Sequence, residues 1–166
     1  MTREITELRF EFRPGTVGET SYSFDRETGI LSAAFGGPDH STVPGTLELA
    51  DRGGGIIYVQ QEHGVLCGVE VVVWPFTDRD VDLDVPEASG EGVLHPSKSD
   101  GEVTCDALAS VSRDGSSAYL ELGDDEACTT VAVSHEVFVD LDASMSLSGI
   151  WFTRLPAGIG GEIGSF

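Results

Sequence analysis

The chain has 166 residues, enough for one domain or for two small halves that share a core. Asp and Glu number 29 against 9 Lys and Arg, a net charge of −20, and Lys98 is the only lysine. Such a surface repels phosphate backbones and anionic membranes, which argues against direct nucleic-acid binding and membrane attachment; it attracts basic proteins and divalent cations.

No apolar window approaches the length of a membrane-spanning helix, and the charged start, Met1 to Leu8, has no apolar signal region. Cys67, Cys105 and Cys128 are odd in number and widely spaced, so no disulfide framework is expected and a cytoplasmic location fits.

Residues 5–13 alternate, with Leu8, Phe10 and Phe12 between Arg9, Glu11 and Arg13. A period of two predicts a half-buried strand, closed by Pro14-Gly15. Strands over Thr20–Phe24 and Ile30–Phe35 flank the turn Asp25-Arg26-Glu27-Thr28-Gly29. After the break Gly36-Gly37-Pro38-Asp39 come a short strand, Thr46–Leu49, and a glycine turn, Gly53-Gly54-Gly55. The strongest strands of this half are Ile56–Gln60 and Val65–Trp74, joined by the hairpin turn Gln61-Glu62-His63-Gly64.

Residues 76–108 are acidic and polar, and read as a connecting excursion. They are expected to add an edge strand at Val81–Val85 or a short helix near Asp106–Ala109. Strands follow at Ala118–Leu122, Thr129–Val133, Val137–Asp142 and Leu147–Arg154, with a break at Gly123-Asp124-Asp125-Glu126. The tail 157–166 is too rich in Gly for a helix and is expected to be loose unless it docks.

The second half repeats the first. Gly68 and Gly149 are 81 residues apart, as are Pro75 and Pro156, and the register between them reads without a gap. On that register Leu66, Val69 and Val71 face Leu147, Ile150 and Phe152, while Ile56 and Tyr58 face Val137 and Val139. Phe35-Gly36 resembles Leu122-Gly123 at a shifted spacing. The expected fold is all-β with little helix, two repeated antiparallel β-meanders packed as a sandwich or barrel. Its parts are a first repeat with an extra N-terminal strand (1–75), the excursion (76–108), a second repeat (109–156) and the tail (157–166).

The recurring unit resembles the domain-of-unknown-function family 2283 of small prokaryotic domains. The residues that carry the likeness are Phe24-Asp25, Ile30-Leu31 and Gly64-Val65-Leu66-Cys67-Gly68-Val69-Glu70-Val71 in the first copy. In the second they are Ala118-Tyr119-Leu120-Glu121-Leu122, Val137-Phe138-Val139-Asp140-Leu141-Asp142 and Leu147-Ser148-Gly149-Ile150-Trp151-Phe152. The first copy departs at Gln60-Gln61, and the second has Trp151 where Glu is usual. The resemblance implies a fold unit and no reaction.

On the gapless register Cys67 faces Ser148, His63 faces Ser144, Glu70 faces Trp151, and Asp140 and Asp142 face Val59 and Gln61. The copies share Gly and apolar residues, which argues for duplicated architecture rather than a duplicated active site. The best cluster for chemistry is Asp78, Asp80, Asp82 and Asp84, which a strand would line along one side opposite Val81 and Leu83. Their oxygens suit Ca²⁺ or Mg²⁺, although the Gly and bidentate Glu of an EF-hand loop are missing. A solvated face or edge protector accounts for them without any metal, since neighbouring charges on it repel by only about 0.6 kcal/mol in water.

His40, His63, His95 and His135 show no metal-ligand spacing, and no serine sits in a Gly-x-Ser-x-Gly elbow. Trp74 and Trp151 read as core packing near strand ends, or as interface residues if exposed. Three readings result: a non-enzymatic interaction or structural module with a basic protein partner; a divalent-cation binder using the four aspartates; and a small-ligand binder or enzyme with a site between the repeats, for which His63, Cys128 and His135 would have to meet. A homodimer is left open.

Overall fold

Side chains that alternate between apolar and polar give strands with one buried face, and the alternation runs through most of the chain. The computed structural model describes residues 8–36, 45–98, 100–123 and 126–164. Residues 5–7 of the first expected strand, Gly37-Pro38-Asp39, His40, Asp124, Asp125 and the end of the tail at 165–166 lie outside the described residues.

The strands are β1 (Phe10–Pro14), β2 (Ser21–Asp25), β3 (Ile30–Ala34), β4 (Gly45–Asp51), β5 (Ile56–Glu62), β6 (Val65–Val73), β7 (Thr77–Val81), β8 (Gly90–Pro96), β9 (Gly101–Cys105), β10 (Ala107–Ser112), β11 (Ala118–Leu122), β12 (Thr129–Ala132), β13 (Val137–Leu141) and β14 (Leu147–Phe152). The fold is all-β. Among the described residues no helix is long and apolar enough to cross a membrane.

Two sheets pack together. One has six strands in the order β2-β3-β6-β5-β4-β9, and the other eight in the order β1-β8-β12-β13-β14-β11-β10-β7. Read from β10 to β8, the larger sheet has the strand order of the smaller one, which is consistent with the repeat. In each, three strands joined by hairpins lie beside a strand that precedes them in the chain, a Greek-key arrangement rather than a plain meander. The sheets are mixed: β4–β9, β12–β8 and β10–β7 are parallel pairs. The expected all-antiparallel pairing fails at these three places because β7, β8 and β9 come from the 76–108 excursion and reach the sheets by long connections.

Inner faces from both sheets form one apolar cluster. Leu31, Ile57 and Val71 from the first and Leu120, Val137 and Phe152 from the second are fully buried. Each such side chain contributes roughly 1.5–3 kcal/mol through burial. The tail after Pro156 closes one end of this core. Ile163 is fully buried and Ile159 nearly so, and the Arg79 guanidinium donates to the backbone carbonyls of Gly160, Gly161 and Ile163. The tail is therefore docked, not loose. Asp106–Ala109 forms no helix: Ala107 already begins β10.

The β5–β6 hairpin closes through His63 and Gly64, both with positive φ, as a two-residue turn that matches strand twist. The β13–β14 loop is longer, and the Asp142 carboxylate accepts hydrogen bonds from the Ser144 and Ser146 amides inside it. This difference breaks the gapless register. Gly68 pairs with Gln60, and Gly149 pairs with Asp140. From Gly68 to Gly149 the offset is 81, but from Gln60 to Asp140 it is 80. Ile57 and Val59, not Ile56 and Tyr58, thus correspond to the buried Val137 and Val139. Both hairpins carry a bulge at the same place, with Cys67 and Ser148 as the extra residues.

Candidate functional site

The aspartate run does not keep one face. Strand β7 starts in register with β10, Thr77 beside Ala109 and Asp78 beside Ser110, and a bulge then sets Val81 beside Ser112. One extra residue is accommodated at Arg79–Asp80, with Asp80 at φ 61°. The alternation that was to align Asp78, Asp80, Asp82 and Asp84 is interrupted inside the run, and β7 ends at Val81. All four aspartates are exposed. The Arg113 guanidinium donates to the Asp80 carbonyl at 3.3 Å and lies 3.8 Å from an Asp82 carboxylate oxygen.

Among the described residues no group of three His, Cys, Asp or Glu side chains comes together in a way that could hold a metal ion. His63, Cys128 and His135 sit at three separate turns: between β5 and β6, before β12, and between β12 and β13.

The outward faces of the two sheets differ far more than their cores. Cross-strand pairing sets Ser110, Tyr119, Trp151, Phe138 and Ala132 in one row across β10, β11, β14, β13 and β12. The corresponding row of the six-stranded sheet is Ser23, Ser32, Glu70, Tyr58 and Glu48. Tyr119 and Trp151 stack with ring centroids 4.2 Å apart. At the equivalent positions Ser32 donates a hydrogen bond to Glu70 at 3.3 Å.

Next to the aromatic row lies Asp140, 4% exposed. It accepts hydrogen bonds from the Thr130 hydroxyl at 2.6 Å, the Tyr119 hydroxyl at 2.9 Å and the Trp151 indole N–H at 3.1 Å. Three donors on three neighbouring strands satisfy a carboxylate that has been taken out of water. Burial first, and then Asp140, raise the Tyr119 phenol above its ordinary value. The network depends on Gly149, because a Cβ there would overlap the Tyr119 ring. In the first sheet Gln60 occupies the place of Asp140, and its side-chain oxygen lies 2.8 Å from where a Cβ on Gly68 would be.

At the edge of the same outer face the surface becomes apolar and open. Phe76 is 76% exposed and Leu108 51%. Phe76 precedes β7 and its carbonyl accepts a hydrogen bond from the Ala109 amide, which places it beside Leu108 on β10. A cleft of about 360 Å³ opens here, lined by Phe76, Leu108, Asp51, Asp106 and Glu121 among others. It marks the corner where the chain leaves β9 of one sheet and enters β10 of the other through Asp106 alone. Asp51 holds the corner by accepting the Ala107 amide at 3.0 Å, and Arg52 pairs with Asp106 at 2.7 Å. Burial, followed by the negative charges of Asp51 and Asp106, pushes the nearby Cys105 thiol up to about 11.

Sequence reasoning missed Phe76 and Leu108. A single apolar residue beside a charged run reads as an inward strand position, and only the pairing of β7 with β10 turns both outward. Trp151 was read as core packing near a strand end; it is 8% exposed, and lies on the outward face against Tyr119. The chain matches none of the known protein families and none of the curated proteins with which it was compared.

Proposed function

We propose that this protein is a non-enzymatic, cytoplasmic interaction module that binds a basic protein through the outer face of its eight-stranded sheet. The carrying observation is the asymmetry of two faces with one strand order: a polar row on one, and aromatic residues with an exposed apolar edge on the other. Water penalises such an edge unless a partner covers it, and aromatic side chains are enriched where partners dock. The net charge of −20 selects partners of opposite sign. At the central hairpin positions the copies hold Cys67 and Ser148, Gln60 and Asp140, Glu70 and Trp151, which supports duplicated architecture over a duplicated active site.

The test is purification of the tagged chain from its native cells at low salt. A basic protein at fixed stoichiometry is expected, released as NaCl rises and lost when Tyr119 and Phe138 are replaced by Ser. Turnover of a substrate that depends on a single side chain overturns the reading.

A further inference from the structure

We infer that the cleft between Phe76 and Leu108 is the anchor point of that interaction, and that it takes a peptide segment in which a bulky apolar side chain is flanked by Arg or Lys. This rests on the interaction reading above and names the site and the chemistry of its occupant. The cleft, about 360 Å³, has room for one large side chain. Its apolar wall is Phe76 and Leu108, the most exposed large hydrophobic side chains among the described residues.

Asp51 and Asp106 line the cleft, and Glu121 pairs across the strands with Leu108. Among the described residues no Lys or Arg lines it. Arg52 is engaged by Asp106, and Asp51 is held in place by backbone amides, so the negative rim is preorganised. An arriving guanidinium can pair with Glu121 and stack on the face of Phe76. Charge also decides against other occupants. A second copy brings another net charge of −20, and phosphate-bearing partners are repelled.

The experiment is selection of a random dodecapeptide library on the intact protein, followed by fluorescence anisotropy with the enriched peptides. Enriched peptides are expected to combine Trp, Phe, Leu or Ile with Arg or Lys. Their affinity is expected to fall at least about tenfold in Phe76→Ser/Leu108→Ser, as for the loss of a central anchor. Both side chains are solvent-exposed, so the variant should keep the wild-type melting temperature. Tyr58→Ser, on the opposite outer face, should leave affinity unchanged. Peptides that bind yet ignore Phe76→Ser/Leu108→Ser overturn the cleft while the interaction reading stands. No enrichment over an unrelated acidic control protein overturns both.

Discussion

Across the six-stranded sheet the outer row runs Ser23, Ser32, Glu70, Tyr58, Glu48, and across the eight-stranded sheet its counterpart runs Ser110, Tyr119, Trp151, Phe138, Ala132. The inward rows of the same strands stay apolar in both: Val69 stands where Ile150 stands, and Val71 where Phe152 stands, the larger Phe152 lying beside Ala118 where Val71 lies beside Leu31. Inward positions answer to a close-packed core, where size changes must offset one another and a polar group is penalised. Outward positions answer only to solvent and partners, so there two copies of one plan can part. The polar row tells what the sheet needs in order to fold. The aromatic row adds a buried network around Asp140 that stabilises the sheet and, at its edge, the exposed Phe76 and Leu108, and that exposed part is where function is to be sought.

The comparison can be broken by making the same substitution on both faces. The largest difference is expected at the centre of the rows. Trp151→Ala removes a ring packed on Tyr119 and a donor to Asp140, and should cost about 4 kcal/mol. Glu70→Ala should stay within about 0.5 kcal/mol, as surface changes do. Urea midpoints read both.

Next comes the buried carboxylate. Asp140→Ala leaves Tyr119, Thr130 and Trp151 without an acceptor and should cost about 3 kcal/mol. Gln60→Ala, at the equivalent place, should cost under about 1 kcal/mol. Equal losses at the two positions would mean that the faces differ in residue type and not in energetics.

A smaller effect is expected at the paired glycines. Gly149→Ala drives the Tyr119 ring out of its stack, for about 2 kcal/mol, visible as a change in near-ultraviolet circular dichroism. Gly68→Ala meets the movable end of Gln60 at 2.8 Å and the Ala33 carbonyl at 3.2 Å, and should cost under about 1 kcal/mol.

The smallest concerns the β10–β11 turn. The Ser116 amide, the Ser116 hydroxyl and then the Ser112 hydroxyl hold the Asp114 carboxyl down at about 2. Its folded value lies below the ordinary 3.8, so its contribution is complete above that value and is lost as the pH falls from there through about 2. In Asp114→Asn the fall of melting temperature across that interval should be slightly shallower than in wild type.

Strands with clean alternation were legible in the sequence. Ala118–Leu122 was expected and found with the same bounds, whereas the turn expected over Gln61–Gly64 narrows to His63-Gly64 and Asp142, expected to end a strand, lies in the β13–β14 loop. Strands with little to bury were not. Strand β8 contains two glycines and a proline and fully buries only Gly92 and Leu94, while β9 fully buries only Val103, so neither carries a detectable period. The one-residue offset between the hairpins was hidden because Ile56, Ile57, Tyr58 and Val59 are all compatible with a strand interior; pairing, not composition, decides which two face inward. The outer-face site was only partly legible. The Tyr119, Phe138 and Trp151 side chains were visible as residues, but their row exists only once three strands are set side by side.

The crossing of the chain between the sheets sets a limit on how the molecule can be taken apart. Residues 90–96 extend the larger sheet between β12 and β1, and residues 101–105 complete the smaller one beside β4. Each repeat thus has one side covered by a segment that belongs to neither, as two pages are sewn by one thread. Cutting the chain at either end of that thread should yield no autonomous fragment. Denaturation should be one all-or-none event, and refolding slow, because β4 must wait for a strand some fifty residues downstream.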